Sequence, residues 1–153
     1  MTAQGLTRRE QITEALQQTV AAAVEFPIGA GVSPPNVGHL GDDPLGPFQP
    51  WANLHSIASA TDGPIDRPTD DSELVYQFTC VGGGQLQAEW VASEIADALD
   101  AISLPWQIGA RAVVHIDIDS IGPAVRDNTI GQSTPPEFLA YLMVRLFTTP
   151  TES

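Results

Sequence analysis

The segment Glu73–Asp100, ELVYQFTCVGGGQLQAEWVASEIADALD, constrains the fold more than any other. Its opening residues alternate. Leu74, Tyr76, Phe78 and Cys80 fall on one side; Val75, Gln77, Thr79 and Val81 fall on the other. An alternation of two, rich in aromatic and β-branched residues, makes a strand, because successive side chains point to opposite faces. Gly82-Gly83-Gly84 then stops it. Past the glycines the period becomes helical: Ala88, Val91, Ala92, Ile95, Leu99 and Ile102 form one apolar stripe. Glu89, Asp97 and Asp100 lie off the stripe, Trp90 beside it, and Pro105 ends the element. The glycine run lacks the G-x-G-x-x-G and Walker spacings, and the chain contains no lysine to complete a phosphate loop. It reads as a strand-to-helix turn.

Around this segment the other elements fall into order. Thr7-Arg8-Arg9-Glu10 fits a capping box. Ile12, Leu16, Thr19, Val20 and Ala23 recur at helical spacing behind it, so a helix is expected from about Arg8 to about Glu25. Residues 26–50 hold six prolines and five glycines, a density that predicts a loop or arm with no regular element. Residues 51–60, WANLHSIASA, alternate as a strand and should form a hairpin with 73–81 across the turn-rich stretch 61–71. Further strands are expected over Arg111–Asp119 and Phe138–Phe147, separated by a second long loop, 120–137, and followed by a flexible tail, 149–153. The order α-β-β-α-β-β predicts an α+β domain over 1–153. It should hold a four-stranded, largely antiparallel sheet with two helices on one face. The other face then needs water or a partner.

Charge and cysteine content narrow the functional classes. Nineteen acids against six bases leave a net charge of −13. Such a chain repels polyanions, which argues against wrapping nucleic acid or docking on an anionic membrane. The single cysteine, Cys80, cannot form an intrachain disulfide and fits a reducing compartment. It shares the apolar side of its strand with Tyr76 and Phe78, so a core role is expected. No apolar run is long enough to span a bilayer, and the N-terminus MTAQGLTRREQ lacks a signal-peptide core.

The stretch VHIDID poses the sharpest chemical question. His115, Asp117 and Asp119 alternate with Val114, Ile116 and Ile118, which puts two acids and an imidazole in one row. Steps of roughly 7 Å along a strand are too wide for one ion to bind all three. No H-E-x-x-H, CxxC or EF-hand spacing supplies further ligands. The row is expected to be the solvent or partner face of a half-buried strand, with no metal and no cofactor. A small metal-dependent hydrolase using His115, Asp117 and Asp119 is the enzymatic alternative. There is no G-x-S-x-G elbow, and His39 and His55, the latter beside Ser56, read as structural polar residues. The residues alone favour an assembly protein over an enzyme.

Three stretches then resemble a known family. PWANLHSIASATDGPI is a short strand ending in a Gly-Pro excursion. ELVYQFTCVGGGQLQAEWVASEIADALD is a strand running through glycines into an AEW helix. IGPAVRDNTIGQSTPPEFLAYLMVRLFTTP carries a Gly-Pro, Arg-Asp, Pro-Pro series into a final strand with a TTP close. In order and spacing, over about 50–150, they resemble the tail terminator (minor tail, tail-completion) proteins of long-tailed phages, especially those of actinobacteria. The resemblance implies a virion protein, assembled in the host cytoplasm and sited at the head-proximal end of the tail. Its copies would form a hexameric ring that caps the tail tube and ends elongation. That ring would present the tail to a head-completion or neck protein, while genomic DNA passes its lumen without specific binding. It implies no catalysis, cofactor or membrane. A head-closure or neck connector of the same particle, built from similar elements, is the nearest alternative. The two long loops are expected to be working surfaces, with Arg126, Asp127 and Asn128 as interface residues beside His115, Asp117 and Asp119.

Overall fold

A computed structural model describes residues 9–39, 47–57, 71–120, 124–126 and 137–151. In chain order its elements are α1 (Arg9–Ala23), β1 (Ile28–Ala30), β2 (Gly38–His39), β3 (Phe48–Gln49), β4 (Trp51–Ile57), β5 (Ser72–Gly82), α2 (Gln85–Asp100), β6 (Trp106–Ile108), β7 (Arg111–Ser120), β8 (Val125–Arg126) and β9 (Phe138–Pro150). The class is α+β. One seven-stranded sheet runs β1-β4-β5-β9-β7-β6, with β8 also paired to β9, and β2 and β3 form a separate two-stranded ribbon.

The four long strands lie in the order β4-β5-β9-β7, each antiparallel to the next. The sheet is wider than the expected four strands and is mixed. β1 joins β4 in parallel, and the short β6 and β8 extend the opposite side. Segments of two or three residues carry no readable alternation, and their backbone is recruited by an edge already in place. Residues 26–50 are therefore not wholly irregular: β1, β2 and β3 lie there, as β8 lies in 120–137. Nor does the chain fray at residue 149. β9 continues to Pro150, Thr148 is buried, and the Thr151 amide donates to the Ala110 carbonyl.

Both helices cover the same face. Ile12, Leu16 and Val20 of α1 and Ala88, Val91, Ala92, Ile95 and Leu99 of α2 are buried, the i, i+4 stripes the sequence calls for. Ala23, expected on the α1 stripe, is exposed at the helix end. The helices rest on Ala52, Leu54, Leu74, Tyr76, Phe78, Cys80, Ala140, Leu142, Val144 and Leu146, which the strand register brings onto one side. The Thr13 hydroxyl of α1 hydrogen-bonds the Tyr76 hydroxyl at 3.0 Å, and the Gln17 amide donates to the Ile28 carbonyl at 2.7 Å. Gly82 explains the tight turn into α2. A Cβ there would run into the Ala88 amide nitrogen and lie 2.9 Å from the Gln87 carbonyl carbon. Only glycine lets the strand end touch the first turn of the helix.

Candidate functional site

The second face of the sheet is the candidate surface, because no described helix lies across it. The register sets its side chains in rows. Trp51, Val81, Leu139 and Val125 form the first. Asn53, Thr79 and Tyr141 form the next, then His55, Gln77, Met143 and Asp119. Ile57, Val75, Arg145 and Asp117 follow, and the last holds Glu73, Phe147 and His115. The surface thus has an uncharged end of aromatic and aliphatic groups and a charged end dominated by carboxylates. Most of these side chains are only half-buried.

Two polar atoms at the uncharged end, Trp51 Nε1 and Asn53 Oδ1, are buried with no hydrogen-bond partner among the described residues. Asn53 is only 8% exposed. A buried donor or acceptor left unpaired costs about 1–3 kcal/mol.

At the charged end, His115 Nε2 lies 2.7 Å from Asp117 Oδ1, and the His115 ring packs against Phe147 with centroids 5.5 Å apart. Arg145 approaches Glu73 at 3.8 Å. His115, Asp117 and Asp119 lie along one strand face as the alternation requires. Among the described residues, no group of three or more His, Cys, Asp or Glu side chains converges as a metal site. His55 and Ser56 point to opposite faces of β4, so they do not form a His–Ser pair. Burial pushes the Cys80 thiol up to about 12, which leaves it protonated and unreactive at neutral pH.

Alternation fails at one point. A bulge falls between Val113 and His115, where Val114 is left without a partner on β9 and is exposed. Strict alternation would put Arg111 and Val113 on the His115 side. The inserted residue turns both inward instead. Arg111 is therefore buried, donating from Nε to Thr148 Oγ1 at 3.0 Å and from Nη2 to Ser72 Oγ at 3.4 Å. Sequence reading passed over Arg111, and only the apolar partners around it, Ala112 and Val113, hinted at its burial. Arg126 lies in β8, in register with Phe138; Asp127 and Asn128 lie outside the described residues. Trp90 is exposed on one side and makes an edge-on contact with Phe26, with ring centroids 5.6 Å apart.

No family model and no curated protein matches the chain. Among solved structures, this chain is similar to one that it matches over 95% of its own length and 99% of the other chain's, at 19% identity and a TM-score of 0.50. At that identity the likeness speaks for the fold alone. No helix among the described residues is long and apolar enough to cross a membrane.

Proposed function

We propose that this protein is a structural subunit of a long-tailed phage, a tail terminator whose copies close into a ring on the head-proximal end of the tail tube. The observation that carries the reading is the open sheet face. Trp51, Leu139, Tyr141 and Met143 lie there half-buried beside the unpartnered Trp51 Nε1 and Asn53 Oδ1. A sheet finished on one side and unfinished on the other suits a subunit whose second layer is a neighbour. The order of the WANLHSIASATDGPI, Gly-Gly-Gly–AEW and FLAYLMVRLFTTP segments supports the phage assignment. The strongly acidic composition suits a lumen past which DNA slides without sticking. In this role the ring, expected to be hexameric, ends tube elongation and offers its far side to a head-completion protein, and no chemistry is asked of any residue.

The test is polymerisation of a tail-tube protein from the same genome, followed by electron microscopy. Added subunit should bind at one tube end and stop growth there. Tubes that keep elongating at both ends, with the subunit absent or scattered along the wall, would reject the terminator role.

A further inference from the structure

The outer edge of β7, which borders the open sheet face and shares Asp117 and Asp119 with it, is a second unfinished surface. β9 pairs with one side of β7 from Arg111 to Ser120, the bulged Val114 excepted, whereas β6 pairs with the other side only over Arg111–Val113. From His115 to Ser120 the outer backbone groups have no strand neighbour among the described residues. The exposure of His115, Asp117, Asp119 and Ser120 agrees with an open edge. A row of unpaired N–H and C=O groups is a template for another strand.

Side chains on either side of this edge define what would fit. Toward the helices, Ile116 and Ile118 are only half-covered, although the residues they oppose, Leu146 and Val144, are fully buried. Beside them runs an open cleft of about 240 Å³, lined by Glu89, Ala92, Ser93 and Ala96 of α2 and by Ser120, Ala140 and Leu142. An added strand would lay its inward side chains over the two isoleucines and into this cleft. On the opposite side it would meet Asp117 and Asp119. Opposite charges directly across a strand pair stabilise it, and like charges destabilise it. Two copies of β7 paired edge to edge would crowd their own aspartates together. The acids that discourage self-pairing select a basic strand.

We propose that the His115–Ser120 edge of β7 binds an extended strand of another protein, one alternating aliphatic and basic residues, by β-augmentation. Main-chain hydrogen bonds would supply the register, the isoleucines and the cleft would take the aliphatic side chains, and Asp117 and Asp119 would take the cations. This site does not depend on ring formation and can be measured on the free subunit.

The probe is a short synthetic peptide alternating valine and arginine, with binding and amide hydrogen exchange followed together. The expected result is binding with new protection confined to His115–Ser120. Asp117→Asn with Asp119→Asn should weaken it between about twofold and thirtyfold, the range for two cross-strand ion pairs. A peptide of the same sequence with alternate backbone nitrogens methylated keeps the charge and loses the ladder, and should give no protection. Equal effects from both peptides would reduce the contact to general attraction by an acidic protein and overturn the proposal. So would protection elsewhere, or no binding, which would leave the aspartates as guards against aggregation only.

Discussion

The two faces of the sheet share the same strands and differ in almost everything else. On β5 and β9 the side chains facing the helices, Tyr76, Phe78, Cys80, Val144 and Leu146, are fully buried. Their immediate neighbours facing the other way, Gln77, Thr79, Tyr141, Met143 and Phe147, are half-buried, and Arg145 is exposed. A sheet face meant for water alone would be polar throughout. Here it is apolar at one end and charged at the other, and Val75 and Val81 of β5 are already buried. The helical face holds the fold together.

The sharpest break between the faces should come from truncating the core. Ile95→Ala or Leu99→Ala removes a fully or nearly fully buried side chain from the α2 stripe. Each should cost about 2–5 kcal/mol in chemical denaturation. Glu89→Ala, on the same helix but off the stripe, should cost far less. Comparable small losses at all three positions would mean that α2 does not carry the core.

Next in size is Gly82→Ala. The new methyl would push against the backbone of the first turn of α2, and overpacking of this kind costs typically about 1–3 kcal/mol. Gly84→Ala is the control, because a Cβ there meets nothing within 4 Å.

Alkaline pH tests the covered face alone. Burial raises the Cys80 thiol from an ordinary value of 9.0 to about 12. Burial also raises the Tyr76 phenol, against the opposing hydrogen bond from Thr13. Each group keeps its proton in the folded protein at a pH where the unfolded chain has released it. For the thiol, this contribution is therefore complete below pH 9 and is lost as pH climbs toward 12. Denaturation midpoints should fall across that window, and Cys80→Ala should flatten the fall. A midpoint independent of pH up to 12 would show that the thiol is not desolvated.

The smallest effect belongs to the open face. Asp117→Asn with Asp119→Asn should change monomer stability by no more than about 0.5 kcal/mol at each site, since both are exposed. A large loss of stability, or stoichiometric metal in the purified protein that disappears in the double variant, would give the row a different role.

Long elements were legible because their period repeats. Eleven residues of β5 and sixteen of α2 carry enough turns of their pattern to declare both type and buried face. β4 through Ile57, and the start of β9, were legible for the same reason. The three-residue β1 and β6 were not, since pairing with β4 and β7 makes them strands and their own side chains do not. The Val114 bulge was hidden by the regularity on either side of it, and with it went the burial of Arg111. The candidate surface was half visible. Counting helices against sheet faces foretold an open side, and VHIDID foretold its acidic edge. The rows across strands, including Trp51 with Leu139 and Asn53 with Tyr141, emerge only once register is fixed.

On the proposed reading, copies of this protein meet through the open face. Native mass spectrometry with tail-tube protein present, on the wild type and on Met143→Glu, tests it most directly. Met143 is half-buried at the middle of that face, so a charge there should spoil the contact and leave the helical core intact. The wild type should form a closed ring of defined subunit number, and the variant should stay a folded monomer with an unchanged denaturation midpoint. A wild type that stays monomeric on the tube, or a variant that assembles as the wild type does, would contradict it.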